Sequence, residues 1–355
     1  HAEDAGAWRR TPEHTLPRLA EAPTIDGRVD AAEWTPAAQL SPLILMLEGV
    51  SDELQREVYA GYDADHLYLA FRLQRPAGAI EPSKQDFVEI MFAPRLHFDR
   101  GFTFWVRPDG SGRAGVMRRH TDWTAFDHAW QHASTVTDTG WEGEIAVPWG
   151  AYELEGPPAE GEVWGLDFVD NRRTPFRQIA LWSFRGQNWH KFENFGRIVF
   201  GGETPALRFE QAGPAGKGNL EVRFSVVNAT DAAAAVDARV AVYRRKAGAE
   251  GGPVSYYPNV ESGTDDAYLT GEADFYKGTE IAKLVEQALT HYTLLEDAGR
   301  AEALAVPARQ QRTLGIVQPA APGEYLVEYA FAAEDGRVLA RGVTPFVLEA
   351  PLALT

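Results

Sequence analysis

From Pro23 to Phe200 the chain alternates apolar and polar positions with a period of two, in short runs separated by turn residues. "REVYAGYD" and "HLYLAFRL" put an apolar side chain at every second position, and "GYDADH" supplies the turn between them. The same period returns in "DFVEIMFAP", "GFTFWVRPDGSG", "GWEGEIAVPW", "VWGLDFVDNRR", "QIALWSF" and "FGRIVF". Short alternating runs bounded by Gly, Pro, Asp and Asn predict antiparallel strands and, at this spacing, a β-sandwich over residues 23–202. Trp34, Trp141, Trp149, Trp164 and Trp182 fall among apolar neighbours on strands or corners and are expected in its core.

The Gly-, Pro- and Ala-rich stretch 203–219 reads as a linker with room for one short strand. Alternation then resumes in "LEVRFSVVNAT", "AVDARVAVYRR", "RTLGIVQP", "GEYLVEYAFAAEDGRVLARG" and "TPFVLEA", where "EDGR" marks a hairpin. These runs predict a second, immunoglobulin-like sandwich over 220–350. A long insertion, 246–292, interrupts it; "GTEIAKLVEQALTHY" at its end carries apolar residues at helical spacing behind Thr279 as N-cap. Residues 1–22 precede the regular pattern and read as an N-terminal arm with Trp8 and Leu16 as anchors. The fold class is therefore all-β: two tandem antiparallel β-sandwiches, the second with a long insertion containing one helix.

At 355 residues the chain is long enough for two cores. With 51 acidic and 34 basic residues its net charge is −17, which disfavours nucleic acid and anionic membrane surfaces as partners. No apolar run approaches the ~20 residues of a membrane-spanning helix. Cysteine is absent, which excludes disulfides, thiolate metal sites and cysteine nucleophiles. The chain opens at His1 without Met; with its acidity and 10 Trp this reads as a processed, exported protein, secreted or at the cell surface.

Catalytic signatures are missing: there is no G-x-S-x-G, H-E-x-x-H or P-loop. "RRHTDWTAFDHAWQH" (118–132) brings His128 and His132 within one helical turn of each other, but no third ligand accompanies them, and a polar loop is the expectation. Turn carboxylates such as Asp63, Asp65 and Asp109 could hold a structural calcium; no other cofactor is expected.

Taken in order, "PTIDGRVDAAEW", "YAGYDADHLYLAFRL", "QDFVEIMF", "TGWEGEIAVPW", "GEVWGLDF" and "LWSFRGQNWHKFENFGRIVF" resemble the motifs of family 9 carbohydrate-binding modules over roughly residues 22–200. In sugar-binding members two tryptophans clamp a sugar and polar residues read its hydroxyls. The resemblance places Trp189 as one clamp residue and Glu89 as an acidic sugar contact. Where the second clamp residue belongs, this chain has Ser83 and Lys84, and two strand positions that carry Arg and Asn in the family are Trp105 and Arg107. A sugar presents a C–H face to an aromatic plane and a rim of hydroxyls to carboxylates, amides and guanidiniums. Trp189, Glu89, Trp105, Arg107, Asn171 and Asn188 are accordingly the candidate ligand-binding residues.

The reading this supports is a non-catalytic, exported glycan-recognition protein whose partner is a carbohydrate. Two alternatives stand beside it. One is a structural subunit of a surface layer or filament, a homo-oligomer or polymer built through the arm and the insertion. The other is an accessory region of a larger carbohydrate-active enzyme.

Overall fold

The computed structural model describes residues 12–46, 51, 54–76, 85–97, 100–118, 122–125, 128–173, 177–183, 190, 192, 195–214, 218–247 and 292–348. The first half contains β1 (Glu13–Leu16), β2 (Ala38–Gln39), β3 (Ile44–Leu45), β4 (Arg56–Tyr62), β5 (His66–Gln74), β6 (Phe87–Ala93) and β7 (Arg100–Val106). It continues with β8 (Gly112–Arg118), β9 (Asp122–Ala125), β10 (Gln131–Thr137), β11 (Gly140–Pro148), β12 (Val163–Arg172), β13 (Gln178–Leu181) and β14 (Gly196–Phe200). The second half contains β15 (Ala206–Pro214), β16 (Asn219–Asn228), β17 (Ala234–Arg245), β18 (Tyr292–Val306), β19 (Gln310–Pro319), β20 (Gly323–Ala333) and β21 (Val338–Leu348). The all-β class expected from the alternation is what the structure has.

In the first sandwich the sheet β10-β11-β5-β4-β2 faces the run β14-β12-β6-β7-β8-β9. Period-two burial drives Val58, Leu69, Phe71 and Ile145 from one sheet against Ile90, Phe92, Phe104 and Phe168 from the other. Phe71 and Phe168 meet with ring centroids 5.6 Å apart. Trp34, Trp141, Trp149, Trp164 and Trp182 are all buried, as expected. In the second sandwich the sheet β15-β16-β19 packs on β18-β17-β20-β21 around Phe209, Phe224, Tyr329 and Phe331.

The motif "PTIDGRVDAAEW" folds over the outer face of the first of these sheets. Asp30 caps the single turn of helix α1 (Ala31–Trp34) by accepting from the Ala32 N–H at 2.7 Å. The Trp34 indole donates to Glu144 Oε1 at 2.8 Å, while Oε2 accepts the backbone N–H groups of Asp26 and Gly27 at 3.1 and 3.0 Å. Burial raises the Glu144 carboxyl above its usual range against these three donors. Three donors of one motif are thus tied to a carboxylate that lies 110 or more residues further along the chain.

Residues 1–22, expected as an arm, are described from Pro12 onward, and Glu13–Leu16 is a strand inside a sheet rather than a detached segment. β1 runs parallel to β14 and antiparallel to β21, so one 13-stranded sheet passes through both sandwiches. His14 is fully buried at this join, its Nε2 3.3 Å from the Tyr329 hydroxyl and its ring edge-on to Trp182 at 5.7 Å. Burial lowers its pKa to about 3. The stretch 203–219 likewise carries β15, which pairs with β16 along its length. Of the insertion, residues 248–291 and the helix expected there lie outside the described residues; Tyr292 opens β18 directly opposite Arg245.

Ions lie buried at one end of the first sandwich. Asp170 accepts from Arg56 Nε and Arg75 Nη2, both at 3.0 Å, and Arg75 Nε reaches Asp86 at 3.3 Å. Burial alone would raise the Asp170 carboxyl, but the two guanidiniums outweigh it and hold it below the usual carboxylate range.

Candidate functional site

The outer face of β12-β6-β7-β8 collects the chemistry. Register places Glu89 between Val169 of β12 and Trp105 of β7, and Trp105 opposite Arg113 of β8. Side chains alternate across a sheet, so Asn171, Asp167, Glu89, Trp105, Arg107 and Arg113 all fall on this face, away from the core of Ile90, Phe104 and Phe168. A smaller apolar cluster on the same side, including Met91, Val169, Leu181, Phe192 and Phe195, occupies its lower part. The tip of the Phe192 ring lies against Gly101, where a Cβ would run into it.

Glu89, 1% exposed, is held in place by neighbours. Thr103 Oγ1 donates to its Oε1 at 3.1 Å, and His190 Nε2 lies 3.2 Å from the same oxygen and 3.4 Å from Oε2. Two residues before Val169, Asp167 is fully buried; burial pushes its pKa up to about 7, although Oδ1 accepts the backbone N–H groups of Phe168 and Ser183 at 3.0 and 3.1 Å.

Beside Glu89 stands an aromatic and cationic cluster. The Trp105 and Trp123 rings lie 5.5 Å apart at 41°, and the Arg113 guanidinium sits 3.6 Å over Trp105 and 5.4 Å from Trp123. Trp123 reaches this position across Gly115, where a Cβ would collide with the indole. Trp105 is 9% exposed, whereas Arg113 is exposed. Desolvation against the rings, then the like charge of Arg107, lowers the Arg113 guanidinium from its usual value, with Glu89 pulling the other way.

Unpaired polar atoms gather on the same face. Among the described residues, both amide atoms of the fully buried Asn171 lack a hydrogen-bond partner, as do the indole nitrogens of Trp105 and Trp123 and Nε of Arg107. Buried polar atoms are nearly always satisfied in proteins, and each exception calls for a physical reason.

Of the residues the sequence singled out, Glu89, Trp105, Arg107 and Asn171 share this face, while Trp189 and Asn188, with Ser83 and Lys84, lie outside the described residues. Sequence reasoning missed His190, Arg113 and Trp123. His190 adjoined the expected clamp residue, and the period-two rule on "GRAGVMR" opposite "FTFWV" would have pointed Arg113 at Trp105 had the register been known. The stretch 118–132 is corrected from a polar loop: it holds β9 and the start of β10, set by cross-strand pairing with β8 and β11. His132 stacks on Trp130 at 4.3 Å and is lowered in pKa by burial, while His128 is exposed. Among the described residues no three His, Asp or Glu side chains converge to hold a metal ion. Asp63 Oδ1 accepts the N–H groups of Asp65 and His66, and Asp109 Oδ1 accepts from Ser111, so these carboxylates cap their own turns.

No protein-family model matches the chain, and no curated protein matches it either. Among solved structures, a family 9 carbohydrate-binding module from Caldicellulosiruptor kristjanssonii in complex with cellotriose is similar at 17% identity and a TM-score of 0.41. That likeness covers 54% of this chain and 95% of the other. A candidate carbohydrate-binding protein from Bacteroides uniformis ATCC 8492 is similar at 12% identity and a TM-score of 0.43, over 53% of this chain and 98% of the other. Among the described residues no helix is long and apolar enough to cross a membrane.

Proposed function

We propose that the protein is an exported carbohydrate-binding protein without catalytic activity, and that it holds its ligand on the outer face of β12-β6-β7-β8. The second sandwich serves as a spacer. In this reading Trp123 and Trp105 offer aromatic surface to the C–H face of a sugar, with Trp189 as the stacking partner that the motif resemblance assigns. Glu89 and Asn171 read hydroxyls, and Thr103 and His190 keep the Glu89 carboxylate oriented.

The observation that carries the reading is Asn171. Leaving a buried amide unpaired costs ~1–3 kcal/mol per group, and a chain that places one on the same sheet face as a fixed carboxylate and an aromatic pair gains from that arrangement only when a ligand completes it. A glycan array followed by affinity electrophoresis in polysaccharide gels tests it. Retention of wild type that is lost in Trp189→Ala and in Asn171→Ala, with unfolding still cooperative, supports the reading; absence of retention on every glycan overturns it.

A further inference from the structure

Several arginines among the described residues pair with carboxylates. Arg56, Arg72, Arg75 and Arg100 each make an ion pair at 3.3 Å or less, as an excess of 51 acidic over 34 basic residues makes easy. What sets Arg107 and Arg113 apart is the aromatic pair on their sheet face. They stand on one face at the turn end of the β7–β8 hairpin, Arg113 opposite Trp105 and Arg107 two residues beyond it. Neither forms an ion pair with a carboxylate among the described residues, and Nε of Arg107 is buried without a partner. Of the two acids on this face, Glu89 accepts from Thr103 and lies against His190, and Asp167 accepts from the backbone of Phe168 and Ser183.

Desolvation and then the like charge of Arg107 lower the Arg113 guanidinium, and the charge of Glu89 only partly offsets them. The Arg113 guanidinium carbon sits 3.6 Å over the Trp105 ring, beside the aromatic surface that a sugar would share. A planar guanidinium beside a stacking platform is suited to a bidentate oxyanion. We infer that the saccharide bound on this face is anionic, and that Arg113 and Arg107 take a carboxylate or sulfate ester carried by the sugar next to the Trp105–Trp123 surface. This rests on the carbohydrate-binding reading above and narrows it to a ligand class.

The test is calorimetric titration of the full chain with size-matched oligosaccharides: neutral gluco-oligosaccharides, oligogalacturonates and sulfated galacto-oligosaccharides, with polyglutamate as a polyanion lacking sugar. Wild type should bind one or both anionic series about tenfold or more tightly than the neutral series, since hydrogen bonds to charged groups are the strong ones. Which series responds distinguishes carboxylate from sulfate. Arg113→Gln and Arg107→Gln should each remove most of that preference, and Arg113→Lys should restore only part of it because the bidentate fork is lost. Added NaCl should weaken anionic binding and leave neutral binding unchanged. Neutral and anionic series binding alike would overturn this inference and leave the sugar reading standing. Polyglutamate competing as well as the uronate would overturn it too, by making the face a charge patch. No binding of any saccharide would bring down the sugar reading and this inference together.

Discussion

His190 Nε2 lies 3.2 Å from Glu89 Oε1, so a residue of the closing segment fixes a carboxylate in the middle of a sheet face. Replacing Glu89 by Gln keeps the shape and removes the charged acceptor. Saccharide affinity is expected to fall by about tenfold or more, with little change in thermal unfolding. His190→Ala should weaken binding less, since Thr103 still holds the same oxygen. Parallel titrations and melting curves of the two variants check the order.

Glu144 is where the first half is tied together. Glu144→Ala would strand the Trp34 indole and two backbone N–H groups in a buried position, and about 3 kcal/mol of stability should be lost. Trp34→Phe removes one donor and should cost less. Denaturant unfolding followed by near-ultraviolet circular dichroism measures both.

Stability should respond to pH through two buried groups of opposite sign. Asp167, raised to about 7 from 3.8, keeps its proton in the folded state after the unfolded chain has lost it. Its contribution is therefore full below pH ~4 and disappears as pH rises towards 7, with a ceiling of ~4 kcal/mol. His14, lowered to about 3, stays neutral in the fold while the unfolded chain takes up a proton below 6.5. That contribution is full above 6.5 and is lost as pH falls. Glu144 shifts in the direction of Asp167, and His132 in that of His14. Between about pH 4 and 6.5 the Asp167 and His14 slopes oppose each other. Denaturation midpoints of Asp167→Asn should show a steeper loss towards acid than wild type, and those of His14→Gln a steeper loss towards neutral pH.

Asp170 joins Arg56 and Arg75 in a dry environment. Asp170→Asn leaves two buried guanidiniums without their shared counter-charge, and about 3–5 kcal/mol should be lost. Equilibrium urea unfolding of the variant gives the value directly.

Strands that bury one face were legible because a period of two survives in sequences such as "VDARVAV" of β17. The core tryptophans were legible for the same reason. β1 was not: "EHTL" is buried at every position, because a central strand joining two sheets is covered on both sides and loses the alternation. β15 was obscured by its Gly and Pro. Glu89, Trp105, Arg107 and Asn171 could be named from motif order and residue type. Their neighbours could not, since Arg113 and Trp123 reach Trp105 through strand register and through the space left at Gly115, neither of which a single strand's pattern encodes.

The central claim is that a saccharide binds the face carrying Glu89. Titration of wild type and Glu89→Gln with the best oligosaccharide from an array tests it most directly. The account predicts saturable one-site binding by wild type, reduced about tenfold or more in the variant while both unfold alike. Binding of equal strength in both proteins would contradict it.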